Sequence, residues 1–174
     1  MKLKLVYLGD SLLRKQCIEV DNITDEIKQL ANDIIETMDV NNGVGLAAIQ
    51  IGVLKRIFVI REVLENENGD SYLAEPEVFI NPKITNPSQK TEIMPEGCLS
   101  VPGIHMEVER PCKIHVEYLD INGKRISKDI EGFKAREIMH ENDHLNGTLF
   151  IDRLKEDQKK EIDHLLKEII KKYN

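Results

Sequence analysis

The segment His140-Glu141-Asn142-Asp143-His144 restricts this chain more than any other. Two histidines four residues apart lie one above the other only on a helix, where both imidazoles can reach one metal ion. The glutamate beside the first histidine is then placed to take a proton from a water held by that ion. Residues 132–146 carry the matching helical spacing. A catalytic metal takes three protein ligands and keeps one position open, so the third ligand decides what the helix is for.

The run continues through Gly147, but the extended metalloprotease pattern needs a histidine where Phe150 stands. A glutamate on a later helix could serve instead. Glu161 and Glu168 are available, both in a stretch rich in Lys and Glu that reads as solvent-facing. Upstream, Cys98 within Glu96-Gly97-Cys98-Leu99-Ser100 offers a thiolate, a strong ligand for zinc or ferrous iron, in what reads as a loop between strands. Gly97 lets the backbone turn or approach closely there. Cys17 and Cys112 bring the cysteines to three, an odd number at irregular spacing and no disulfide framework. Spacing alone leaves Cys98, Glu161 and Glu168 open.

A second glycine-bearing stretch, Gly43-Val44-Gly45-Leu46-Ala47-Ala48-Ile49-Gln50, satisfies the loose dinucleotide-binding fingerprint, with the acidic Glu62 further on. That fingerprint requires an apolar strand immediately before its first glycine. Residues 36–42, the polar end of a helix, stand there instead. The stretch therefore reads as a tight loop whose backbone and Gln50 amide approach a substrate.

Around these motifs the patterning alternates between short strands and three helices. Residues 24–39 place Ile27, Leu30, Ala31, Ile34, Ile35 and Met38 at helical spacing, with Thr24 at the N-cap and Asn41-Asn42-Gly43 as the stop. Strand-type runs cover 56–63, 78–84, 113–119 and 125–130, the last two joined by the turn Asp120-Ile121-Asn122-Gly123. Residues 155–172 put Ile162, Leu165, Leu166, Ile169 and Ile170 on one helical face. Short strands in meander order with few helices read as an α+β fold with antiparallel sheets. No repeat, low-complexity tract or Pro/Ser-rich linker divides the chain, so residues 1–174 read as one domain.

Charge narrows the function further. Lys plus Arg number 24 against 31 Asp plus Glu, a formal charge of −7, which does not draw a protein to DNA. No apolar run approaches the roughly 20 residues of a membrane span. The opening MKLKLVYLGDSLLRK is charged too early for a signal peptide, which points to the cytoplasm or to a processed organellar form.

Taken together, Gly43–Gln50 (GVGLAAIQ), Glu96–Ser100 (EGCLS) and His140–His144 followed by Leu145-Asn146-Gly147 resemble, in this order, the three signature motifs of the peptide deformylases. Asp10-Ser11-Leu12-Leu13-Arg14 is similar to that family's opening, and a long final helix is similar to its bacterial type without large insertions. The resemblance implies antiparallel sheets surrounding a central helix that carries the two histidines, with a long C-terminal helix. It implies Cys98, His140 and His144 as metal ligands and Glu141 as general acid/base. It implies Gln50 and the Leu99 N–H as donors to the formyl oxygen, with Gly43, Val44, Gly45 and Gly97 lining the substrate. The substrate implied is the N-formylmethionyl end of a nascent polypeptide, and the products are formate and a free amino terminus. One divalent metal is implied, Fe2+ by family habit, with Zn2+, Ni2+ or Co2+ able to substitute.

Two positions depart from the family pattern. Asn142 stands where an apolar residue is usual, and Met139 where glutamine is common, which bears on the packing of the central helix. Glu96 is a candidate to orient His140 or Arg110. His105 sits where a basic residue could meet the peptide, whereas His115 and His164 read as surface or packing residues. The final stretch, 155–174, holds six Lys and five acidic residues, so a transient ribosome contact through it is a further expectation beside simple packing.

Overall fold

The computed structural model of the chain describes residues 3–173. Helix α1 (Asp25–Val40) follows the apolar spacing set out above and buries Ala31, Ile34, Thr37 and Met38. Thr24 stands at its N-cap, but its hydroxyl makes no capping bond to the helix. At the other end Asn42 takes a left-handed φ of 55°, a conformation asparagine tolerates, and the Gly43 N–H closes back onto Met38 O.

Strand β1 (Gly45–Ala47) and β2 (Ile57–Ile60) are followed by a small hairpin, β3 (Val63–Glu65) with β4 (Ser71–Leu73). The expected single run over 56–63 is thus divided. Beyond Ile60 the chain leaves the main sheet, and residues 63–65 pair only with β4. Next come β5 (Glu77–Thr85), β6 (Thr91–Cys98), β7 (Val101–Pro111), β8 (Lys113–Leu119) and β9 (Arg125–Glu131). The main sheet has the order β1-β2-β5-β8-β9, antiparallel throughout, while β6 and β7 form a separate two-stranded ribbon. The hairpin expected across Asp120–Gly123 is present, with Leu119 opposite Arg125. Helix α2 (Gly132–Leu145) and helix α3 (Glu156–Tyr173) complete the α+β architecture.

All four residues of β2 are buried, which only a sheet covered on both faces requires. Ile57 and Val59 pack with α1, alongside Ile34 and Met38. Phe58 and Ile60, on the alternate side, pack with Ala135 and Ile138 of α2. Helix α2 is therefore enclosed, with ten of its fourteen residues buried. The β6–β7 ribbon supplies a third apolar cluster, in which Val101, Ile104 and Val108 meet Ile162 and Ile169 of α3. Tyr7 also stacks on Tyr173, ring centroids 4.0 Å apart. At the end of α2, Gly147 has φ 71°, and a Cβ there would come within 2.5 Å of Arg14 O. That position requires glycine twice over, for conformation and for contact.

Candidate active site

Helix α2 turns His140, Glu141 and His144 toward the ribbon, and β6 ends at Cys98 facing them. Cys98 is the last residue of a strand and not part of a free loop, a correction to the sequence reading; ladder pairing with Val101 holds its backbone. The ligand atoms of Cys98, His140 and His144 all lie within 4.8 Å of one another. Cys98 Sγ and His144 Nε2 are 3.2 Å apart, close to the roughly 3.5 Å edge of a tetrahedral site with ordinary zinc bond lengths. His140 directs Nδ1 to Glu96 Oε2 at 2.9 Å, which leaves Nε2 as its coordinating atom. The donor set of one thiol and two imidazoles thus fits a divalent transition metal.

Neither alternative third ligand belongs to this group. Glu161 and Glu168 are exposed on α3, and Glu161 borders a separate surface depression with Arg153 and Lys155. Cys112 lies beyond the end of β7, outside the group, and Cys17 is buried in the core, where burial pushes its thiol up to about 11.

A cavity of about 420 Å³ opens beside the ligands. Its walls include Gly43, Val44, Gly45, Gln50, Gly97 and Leu99, all expected from the motifs. A Cβ at Gly45 would meet Glu141 Oε1 at 2.4 Å, so any side chain there would displace the Glu141 carboxyl. Gln50 is fully buried. Its Oε1 accepts from Ala47 N at 2.8 Å, so its Nε2 points to Ser100 Oγ at 3.1 Å and Cys98 Sγ at 3.5 Å. His105 is exposed at the rim, its ring against Gly97. His115 lies outside the site, bonded to Asp129 and Ser127, and His164 is exposed on α3.

Burial governs ionisation around the ligands. It pushes the Cys98 thiol up to about 12, with the Glu141 carboxylate adding to the effect, so deprotonation needs a positive partner. Burial holds His144 well below its usual range, with His140 and Arg110 adding, which leaves it neutral and able to ligate. Glu141 is raised well above the carboxylate range by burial, then by Glu137 and Glu96, and its Oε2 is buried without a hydrogen-bond partner.

Glu96 holds this arrangement together. It accepts from Arg110 Nε and Nη2 at 2.6 and 2.8 Å, from Arg136 Nη1 at 2.7 Å, and meets His140 Nδ1. Burial opposes its charge, but these partners outweigh that and keep it well below the carboxylate range. Arg110 reaches on to Asp143 at 2.8 Å, and Asp143 also receives Arg153. Glu96 therefore orients both residues named as its possible partners. The two departures in the central helix are accommodated: Asn142 Oδ1 accepts from Arg56 Nη2 at 3.3 Å, and Met139 packs into the core with Ile138.

Sequence reasoning missed Arg136, Asp143 and Glu137. Helical spacing from His140 could have found Glu137, a charged residue followed by the apolar Ile138 and Met139.

The family model for polypeptide deformylases matches residues 2–160. The chain belongs to the polypeptide deformylase family. It is 51% identical over 149 residues to peptide deformylase 1 of Clostridium perfringens, covering 85% of this chain and 95% of that protein. The crystal structure of the Ehrlichia chaffeensis peptide deformylase in complex with actinonin superimposes with a TM-score of 0.87 at 40% identity, covering 98% of this chain and 97% of that one. The Acinetobacter baumannii enzyme, a class I type b peptide deformylase solved with Met-Ala-Ser bound, superimposes at 0.81 with 34% identity, covering 88% and 99%. Membership carries an enzyme activity, the metal-dependent removal of the N-formyl group from nascent peptides. Among the described residues no helix is long and apolar enough to cross a membrane.

Proposed function

We propose that Cys98, His140 and His144 hold one divalent metal ion, expected to be Fe2+, and that the cavity beside them takes the formyl-methionyl end of a peptide. The observation that carries this reading is the convergence of three ligand atoms within 4.8 Å at the edge of a cavity that Glu141 also lines, its Oε2 without a hydrogen-bond partner. When bound, the metal supplies Lewis acidity, lowering the pKa of a water and polarising the formyl carbonyl. Glu141 takes the water proton and returns it to the departing amine, the two halves of general acid/base catalysis. Gln50, its amide fixed by Ala47 and Ser100, donates from Nε2 to the developing oxyanion, and the Leu99 N–H is the second donor. Gly43, Val44, Gly45 and Gly97 line the cavity where the peptide would lie, the three glycines adding no side chain to its walls.

Formate release from formyl-Met-Ala-Ser, with no acetate from the acetyl analogue, tests the reaction. Glu141→Gln should keep its metal and lose turnover by at least about 100-fold. Cys98→Ala should lose tight metal binding, whereas Glu161→Gln should not. Full metal occupancy in Cys98→Ala, or cleavage of casein without formate release, overturns the reading. The cytoplasm, where nascent chains are made, is the compartment expected. Contact with ribosomes through α3 is supported by its exposed lysines, such as Lys160 and Lys171, on the side away from Ile162 and Ile169. Deleting 158–174 and measuring co-sedimentation with ribosomes tests that part.

A further inference from the structure

One face of α2 carries Glu137, His140, Glu141 and His144, at the spacing i, i+3, i+4 and i+7. The last three have roles in the reading above; Glu137 has none. It lines the cavity and is 6% exposed, and both its carboxyl oxygens are buried without a hydrogen-bond partner. The nearby cations are engaged elsewhere: Lys134 with Glu62 and Glu77, and Arg136 with Glu96 and the carbonyls of Val108 and Glu92. An unpaired buried carboxyl is unfavourable, and a bound molecule that paired with it would remove that penalty.

Helical rise sets Glu137 about 6 Å from Glu141 along the axis, toward the cavity's Phe133 end. An unbranched side chain of methionine's length reaches roughly 5 Å from its Cα. With the formyl carbon at the ligands and Glu141, the end of the first side chain can meet Glu137. We propose that Glu137 is a specificity-determining residue that hydrogen-bonds the end of the first side chain, so that the cavity accepts a carboxamide as well as a thioether and disfavours a hydrocarbon of equal length. This rests on the deformylase reading. Burial, with the Glu62 carboxylate adding, pushes Glu137 up to about 8, so at pH 7 it is mostly an unionised acid. Such an acid has one donor and one acceptor, and pairs at two points with a primary carboxamide. A thioether sulfur accepts weakly, and a hydrocarbon leaves both oxygens unpaired.

The test measures kcat/KM by formate release from formyl-X-Ala-Ser, with X methionine, glutamine or norleucine, for the metal-loaded enzyme, Glu137→Leu and Glu137→Gln. Ratios within each protein cancel any general loss of activity. The unaltered enzyme should cleave the glutamine peptide at least as efficiently as the norleucine peptide. Glu137→Leu should lower the glutamine-to-norleucine ratio by about tenfold or more, and the methionine-to-norleucine ratio by about two- to threefold. Glu137→Gln, which keeps a donor and an acceptor, should restore most of the first ratio. A glutamine peptide cleaved tenfold less efficiently than norleucine by the unaltered enzyme overturns the proposal without any variant, as do equal ratios in Glu137→Leu. No formate from any of the three peptides overturns the deformylase reading itself, and this inference with it.

Discussion

Two buried glutamates border the same cavity and differ in almost everything except depth. Both are 6% exposed. Glu96, on the ribbon, receives two arginines and a histidine, and its charge is held despite burial. Glu137, on the helix, receives nothing and is pushed up to about 8. Depth alone therefore does not set the ionisation of a carboxyl; the donors that neighbouring backbone elements bring to it do. The ribbon wall is built for rigidity, with Glu96 tied through Arg110 to Asp143 and Arg153, while the helix wall keeps an unpaired group facing the cavity.

Removing each glutamate should separate these roles. Glu96→Leu removes the carboxylate partner of the buried Arg136 and one of the two that hold Arg110, and a loss of about 3–5 kcal/mol in urea unfolding is expected. Its metal affinity should fall by about 10- to 100-fold, because His140 loses the group that fixes its ring. A variant as stable as its parent would erase the contrast. Glu137→Leu should move the other way, gaining about 1–3 kcal/mol in the same measurement, since an unsatisfied group is replaced by an apolar one of similar size. A loss of stability there would mean that the carboxyl has a partner in solution.

The two glutamates also differ in pH dependence. Glu137 faces Glu62, Lys134 and Glu141, and its folded-state value near 8 stands above the ordinary 4.5 of the unfolded chain. Below about pH 4.5 it is protonated in both states. As pH rises from there to about 8 the unfolded chain releases the proton first, so the parent loses stability across that window. The stability gap between Glu137→Leu and its parent should widen from pH 4.5 to 8 and level off above. A gap of constant size would show that Glu137 titrates normally.

How much of this the sequence disclosed depends on the kind of signal each element leaves. Helices α1 and α3 are one-sided, and their apolar spacing is plain in the residues. Strands β8 and β9 carry an Asn-Gly turn between them. The β6–β7 ribbon left no such trace, because Pro95, Gly97, Pro102, Gly103 and Pro111 fall within its two strands. A two-stranded ribbon tolerates them, since each strand has an outer edge where a missing N–H goes unused. Of the site, the histidine pair and Gln50 were legible as motif residues, and the resemblance supplied Cys98. Of the partners of Glu96, His140 and Arg110 were named as candidates, whereas Arg136 was not, because it meets Glu96 only through tertiary contact across 40 residues.

The enclosure of α2 also has a consequence in time. A helix with ten of fourteen residues buried has no outer face from which to open turn by turn. Beyond its exposed first turn, its amide hydrogens can reach solvent only when the sheet and ribbon part together, so their exchange rates should report the opening of the whole core. Helix α3, which buries only Ile162 and Ile169 along eighteen residues, can fray and reclose many times in the same interval. The segment that carries the histidines is thus the part of the molecule that moves last.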